Sequence, residues 1–131
     1  MIKVLLVDDE PSVRQGLQMR LALEPDLHVV GEAGDGLAAL KAVRALGPDV
    51  VVTDIDMPKM DGLTMIKWLR EVAPSAAAIV LTVYDHEGVR TRARDAGADA
   101  FIGKQEDVEH LIDAIHRVAM SHHTENQEVC P

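Results

Sequence analysis

Cysteine is almost missing from this chain. The single one, Cys130, stands next to the last residue, so no internal disulfide can form and the thiol reads as a spectator. Positive charge is also in short supply: 13 Lys and Arg face 22 Asp and Glu, a formal charge of -9, which disfavours binding to a phosphate backbone by the surface as a whole. Any nucleic-acid contact is therefore expected from another domain. Long apolar runs are absent as well, the longest being the six residues Ala76 to Leu81. A membrane span needs roughly 18. The opening Met1-Ile2-Lys3-Val4 lacks the basic segment, apolar stretch and small-residue cleavage site of a secretory leader. The expected location is the cytoplasm, with no membrane contact. What remains, 131 residues that are 47% apolar and 27% charged, suits one globular domain with a substantial core.

Short apolar runs alternate with longer amphipathic ones. Ile2 to Val7, Leu27 to Val30, Val50 to Val52, Ile79 to Leu81 and Ala100 to Ile102 show no strict polar alternation, as strands covered on both faces of a parallel sheet should. The intervening segments, Pro11 to Glu24, Gly36 to Leu46, Leu63 to Val72, His86 to Ala96 and Val108 to Met120, are expected helices. Pro11 suits a first helical turn, Asp35 and Asp61 suit N-caps, and Gly97 suits a left-handed helix end. Strand and helix alternating five times predict a single-domain, doubly wound α/β sandwich. Residues 121–131 are polar and aperiodic, and read as a tail or the start of a linker after a domain of residues 1–120.

In such a sheet ligands bind beyond the carboxyl ends of the strands. The first strand runs into Asp8, Asp9 and Glu10, the third into Asp54, the fourth into Thr82 and the fifth towards Lys104. Carboxylates crowded at one rim repel each other, so a positive charge is expected among them. Mg²⁺, with Mn²⁺ as a substitute, fits an all-oxygen set that offers neither Cys nor paired His. An ammonium at Lys104 and a hydroxyl at Thr82 would then serve phosphoryl oxygens.

Four segments, "LLVDDEP" (Leu5 to Pro11), "TDIDMPKMDG" (Thr53 to Gly62), "LTVYD" (Leu81 to Asp85) and "GADAFIGK" (Gly97 to Lys104), resemble in order and separation the signatures of the receiver domain of bacterial two-component response regulators. "LTVYDHEGV", and a lysine not followed by proline, most resemble the NarL type. The resemblance implies a flavodoxin-like, five-stranded parallel sheet of order 2-1-3-4-5 flanked by five helices. It implies Asp54 as phosphoacceptor, Asp8 and Asp9 as the acidic pair around Mg²⁺, the main-chain carbonyl of Asp56 as a further ligand, and Lys104 as the partner of the phosphoryl group. Thr82 and Phe101 would be the switch pair. It further implies a sensor histidine kinase as donor, chosen largely through residues around Val13 to Leu17, and a possible phosphorylation-dependent homodimer. Output would pass through the fourth helix, fifth strand and fifth helix, commonly to a DNA-binding domain. The chain would be a self-modifying switch and not an enzyme with an external product.

Two departures stand out. Val83 follows Thr82 where a small residue is common and is expected to narrow the approach to Asp54, and Gln105 takes the place of proline, so a trans peptide is expected there. Several residues also have plain readings: Asp61 and Gly62 as turn chemistry, Phe101 as core, Arg90, Arg92 and Arg94 as a solvated face, and "GEAGDG" (Gly31 to Gly36) as a turn. The six histidines show no metal-ligand spacing. Two other classes compete: an aspartate-nucleophile phosphohydrolase using Asp54-Ile55-Asp56, and an interaction domain that keeps the fold without phosphorylation. Turnover of an external phosphate ester favours the first, and a missing Mg²⁺-dependent response to a phosphoryl mimic favours the second.

Overall fold

A computed structural model describes the backbone of residues 1–129 and the side chains of residues 1–121; Cys130 lies outside the described residues. Five strands, β1 (Ile2–Val7), β2 (Leu27–Ala33), β3 (Val50–Thr53), β4 (Ala77–Thr82) and β5 (Ala100–Gly103), alternate with five helices. These are α1 (Pro11–Leu21), α2 (Gly36–Leu46), α3 (Gly62–Val72), α4 (Glu87–Ala96) and α5 (Val108–Val129). All strand pairs are parallel and their order is β2-β1-β3-β4-β5. The chain thus reverses its winding direction beside β1 and β3, and that reversal opens the crevice in which a ligand can sit.

Alternation of side chains along each strand separates two cores. Leu5, Val7, Val51, Ala78 and Val80 face one way and pack with buried residues of α2, α3 and α4. Val4, Leu6, Val50, Val52, Ile79 and Leu81 face the other way, towards Leu21 of α1 and Leu111, Ile112 and Ile115 of α5. Every residue of β3 and β4 is buried, which is why the sequence shows unbroken apolar runs there.

The helix ends follow their expected chemistry. Pro11 opens α1, and Asp35 and Asp61 accept from the main-chain N–H groups of Ala38 and Thr64. Gly97 closes α4 with φ 113°, in the left-handed region. No cis peptide occurs among the described residues, in keeping with Gln105 following Lys104. Three boundaries differ from the sequence pattern by three residues or more, the first being the end of α1, which falls at Leu21 and not Glu24. Strand β2 continues to Ala33, past the expected end at Val30, because a register shift between Val4 and Leu5 keeps its last residues paired with β1. Helix α5 continues to Val129, through most of the segment read as a tail. Lacking glycine or proline between Met120 and Val129, the backbone has no strong stop signal.

Helix α1 carries an avoidable weakness. Gly16 sits mid-helix, and a Cβ built there meets nothing within 4 Å. Gly16→Ala should therefore raise unfolding stability by about 0.5–1 kcal/mol through lost unfolded-state freedom. Urea unfolding of both proteins checks this; an unchanged midpoint would contradict it.

Candidate functional site

The carboxyl ends of β1, β3, β4 and β5 bring the expected residues to one rim. Asp8 is buried, Asp9 is exposed and Asp54 is half-buried, and each offers a carboxylate oxygen within 4.8 Å of the others. Lys104 reaches into this group from the loop after β5. Its Nζ donates to Asp8 Oδ2 at 2.9 Å and to Asp54 Oδ2 at 3.0 Å. Burial of this ammonium opposes its charge, but the bonds to Asp8 and Asp54 outweigh that cost and raise its pKa above the ordinary 10.5. Lys104 therefore stays charged throughout the physiological range.

The remaining lone pairs are placed by the backbone. Asp8 Oδ1 accepts from the Glu10 N–H at 2.9 Å, and Asp54 Oδ1 from the Ile55 N–H at 2.7 Å. The loop after β3 is locked from below: Thr53 Oγ1 donates to the Asp54 carbonyl at 2.8 Å, and Gly62 N–H donates to the Ile55 carbonyl at 2.7 Å. Asp61, spent on capping α3 through Thr64 N and Thr64 Oγ1, takes no part in the cluster. Gly62 has a stronger reason to be glycine than turn preference, since a Cβ there would lie 1.9 Å from the Asp54 carbonyl oxygen.

Thr82 is fully buried at the end of β4, and its Oγ1 accepts from Tyr84 N–H at 3.3 Å. Phe101 is partly buried against the α2–α3–α4 core, so its packing role is real. Arg90 lies over the Phe101 ring, its guanidinium carbon 4.7 Å from the centroid. Val83, at 62% exposure, stands outside the core beside the rim. Among the described residues no histidine belongs to the acidic group; His110 and His116 pair instead with Glu106 and Asp26. Segment Gly31 to Gly36 holds the end of β2, a two-residue bend and the first residue of α2.

Three sets of contacts were not read from the sequence. Arg14 of α1 donates to the main-chain carbonyl of Asp8 while its Nε pairs with Glu32 at 2.9 Å. Tyr84 is coupled to Asp56, whose carboxylate favours the protonated phenol. Asp85 joins Arg90 and Gln105.

The bond to Asp56, reinforced by the charges of Asp56 and Asp54, raises the Tyr84 pKa above its ordinary 10.0. As the chain has one tyrosine, absorbance reports it cleanly. In metal-free protein the phenol should ionise above pH 10.0, and Asp56→Asn should bring the midpoint back down; coincident curves would show that the two side chains do not interact.

Residues 4–116 match the family model described as the response regulator receiver domain. The chain is 36% identical over 116 residues to the nitrate/nitrite response regulator protein NarL of Escherichia coli K12, covering 88% of this chain and 54% of that protein. It is 41% identical over 119 residues to the transcriptional regulatory protein UhpA of Salmonella typhimurium, covering 91% and 59%. The chain thus spans a little over half the length of these relatives. Among solved structures, the receiver domain of a NarL-type regulator from Mycobacterium tuberculosis superposes with a TM-score of 0.86 at 31% identity, over 91% of this chain and 96% of that one. The acidic rim and the parallel sheet beneath it are those of a two-component signalling protein. This chain belongs to the response regulator receiver domain family. No helix among the described residues is long and apolar enough to cross a membrane.

Proposed function

We propose that this chain is a phosphoacceptor switch that takes a phosphoryl group from a sensor histidine kinase onto Asp54. The observation that carries the reading is the convergence of Asp8, Asp9 and Asp54 on one point, with Lys104 bridging two of them. An Asp54 carboxylate oxygen attacks phosphorus, the P–N bond to the donor imidazole breaks, and its electron pair stays on that nitrogen. Lys104 offsets the charge that arrives, roughly 1.5 to 2 negative units for a phosphoryl group, and the Thr82 hydroxyl turns towards the new oxygens. Water later cleaves the acyl phosphate and restores Asp54. The chemistry is therefore positioning and charge neutralisation, with no external product.

A hard divalent ion fits the donor set, which is all oxygen and clustered at an exposed rim. Asp8, Asp9 and Asp54 would hold Mg²⁺ or Mn²⁺ together with the Asp56 main-chain carbonyl, and the ion would neutralise phosphoryl oxygens when bound. A concavity of about 330 Å³ beside Lys104, lined by Val13, Gly16, Leu17, Asp107 and Leu111 among others, suits the donor protein. Residues 1–120 form the switch, and the cytoplasm is its place of action.

The readout is a shift of α4, β5 and α5. Helix α4 buries only Val89, Ala93 and Ala96, so a modest change in free energy moves it. The output is transcription, through a DNA-binding domain carried outside these 131 residues, with strengthened self-association on phosphorylation. Intact-mass measurement after incubation with a small phosphodonor tests the reading. It should show one phosphoryl group per chain, with Mg²⁺ and not without it, decaying on removal of donor. Steady hydrolysis of a phosphate ester without labelling would favour a phosphohydrolase instead.

A further inference from the structure

The loops after β4 and β5 are joined by more than the sheet. Lys104 N–H donates to the Thr82 carbonyl at 2.8 Å, the last main-chain bond between them. Beyond it, the two oxygens of Asp85 are divided between two partners. Oδ1 accepts from Arg90 of α4, at 2.8 Å from Nε and 2.7 Å from the terminal nitrogen. Oδ2 accepts from the Gln105 side-chain amide at 2.9 Å. A carboxylate can only accept here, so the NH₂ of Gln105 must face it. Arg90, held by Asp85, covers the Phe101 ring.

Gly103 gives independent evidence that this arrangement is built. A Cβ on Gly103 would lie 2.8 Å from Asp85 Oδ2 and 2.7 Å from Gln105 Nε2, so the pair fills the space that a side chain would need. The turn that follows Gly103 is fixed by Glu106, whose Oε2 accepts the Gly103 N–H at 2.7 Å. Three elements therefore meet at Asp85, the loop that follows Thr82, the loop that bears Lys104 and helix α4, and Arg90 extends the contact to Phe101 on β5.

We propose that Asp85 is a positioning residue for the phosphoryl switch. Through Gln105 it holds the Lys104 loop against the Thr82 loop, and through Arg90 it carries that position to Phe101 and α4. This rests on the phosphoacceptor reading above and adds the route by which the pocket reaches its output face. Thr82 and Asp85 lie three residues apart on one short loop, so a displacement of Thr82 towards a phosphoryl group drags Asp85, and with it Arg90 and Gln105. A family member with proline after the lysine has no amide at that position to make the bond. In this chain the proline's absence becomes a connection.

Amide hydrogen exchange of the full chain, read by mass spectrometry, tests the proposal with Asp85→Ala, Arg90→Met and Gln105→Ala, of which the last alters an exposed side chain. Without any phosphoryl mimic, Asp85→Ala and Gln105→Ala should speed exchange in α4 and in the Lys104 loop at least threefold. With Mg²⁺ and beryllofluoride, the mimic-induced change in α4 should shrink at least threefold in each variant, while protection of the loop around Asp54 persists. Pairing Asp85→Ala with Gln105→Ala should add little to either alone. Arg90→Lys should restore only part of the response, because it keeps the charge and loses the planar stack. Equal α4 behaviour in wild type and variants, even with a lowered melting temperature, would overturn the proposal. If the wild-type Asp54 loop ignores the mimic, the receiver reading fails, and the mimic-free comparison still decides whether Asp85 positions these loops.

Discussion

Asp54→Asn should abolish incorporation of acid-labile phosphate, whereas Asp61→Asn should leave it intact. Three aspartates crowd within eight residues of the β3–α3 loop, and the structure separates their tasks. Of the three, Asp54 alone bonds to Lys104, at 3.0 Å, and shares the carboxylate cluster with Asp8 and Asp9. Asp61 is spent on Thr64, and Asn can still cap a helix, so its replacement costs little. Asp56 is coupled to Tyr84. Mass spectrometry of each variant after treatment with phosphodonor and Mg²⁺ should show the label falling to background only for Asp54→Asn. Circular dichroism should confirm an unchanged fold, since Asn preserves the shape and relieves repulsion among the carboxylates. Label retained on Asp54→Asn would reject the assigned acceptor.

The largest structural effect is expected from a methyl group. In Gly62→Ala the new Cβ would collide at 1.9 Å with the Asp54 carbonyl oxygen and at 3.1 Å with Thr53 Oγ1. Neither atom belongs to a flexible side-chain end, so the backbone itself must move. Overpacking of this kind costs about 3 kcal/mol, and the displaced group is the carbonyl of the proposed phosphoacceptor. Gly62→Ala should therefore lower the unfolding midpoint sharply and slow labelling of Asp54 together. Gly16→Ala is the internal contrast, the same chemical change where nothing stands in the way. If Gly62→Ala unfolds like wild type, the loop is far softer than its bonds imply.

Much of this was visible in the residue order. Unbroken apolar runs at Val50 to Val52 and Ile79 to Leu81 announce strands covered on both faces, and the charged or hydroxylated residue after each run marks the rim where ligands gather. The resemblance to receivers supplied the strand order and the expected roles of Asp8, Asp9, Asp54, Thr82 and Lys104; the fold then brings the side chains of Asp8, Asp9, Asp54 and Lys104 together, with Thr82 at the end of β4. What stayed hidden depends on side-chain reach. Arg90 had the look of a solvated charge, and only the fold puts it over Phe101 and against Asp85. Gly62 carried the ordinary signature of a turn, while the reason for glycine is a main-chain oxygen eight residues back in sequence. Helix α5 outran its apolar stripe because polar residues without glycine or proline do not end a helix.

Everything proposed for this site requires that the aspartate cluster hold a divalent cation, and calorimetric titration of the metal-free chain with Mg²⁺ tests that most directly. One ion per chain should bind, and both Asp9→Asn and Asp54→Asn should weaken it at least tenfold, with Asp61→Asn matching wild type. A chain that takes up no Mg²⁺, or binds it equally well after Asp9 and Asp54 are neutralised, would contradict the account.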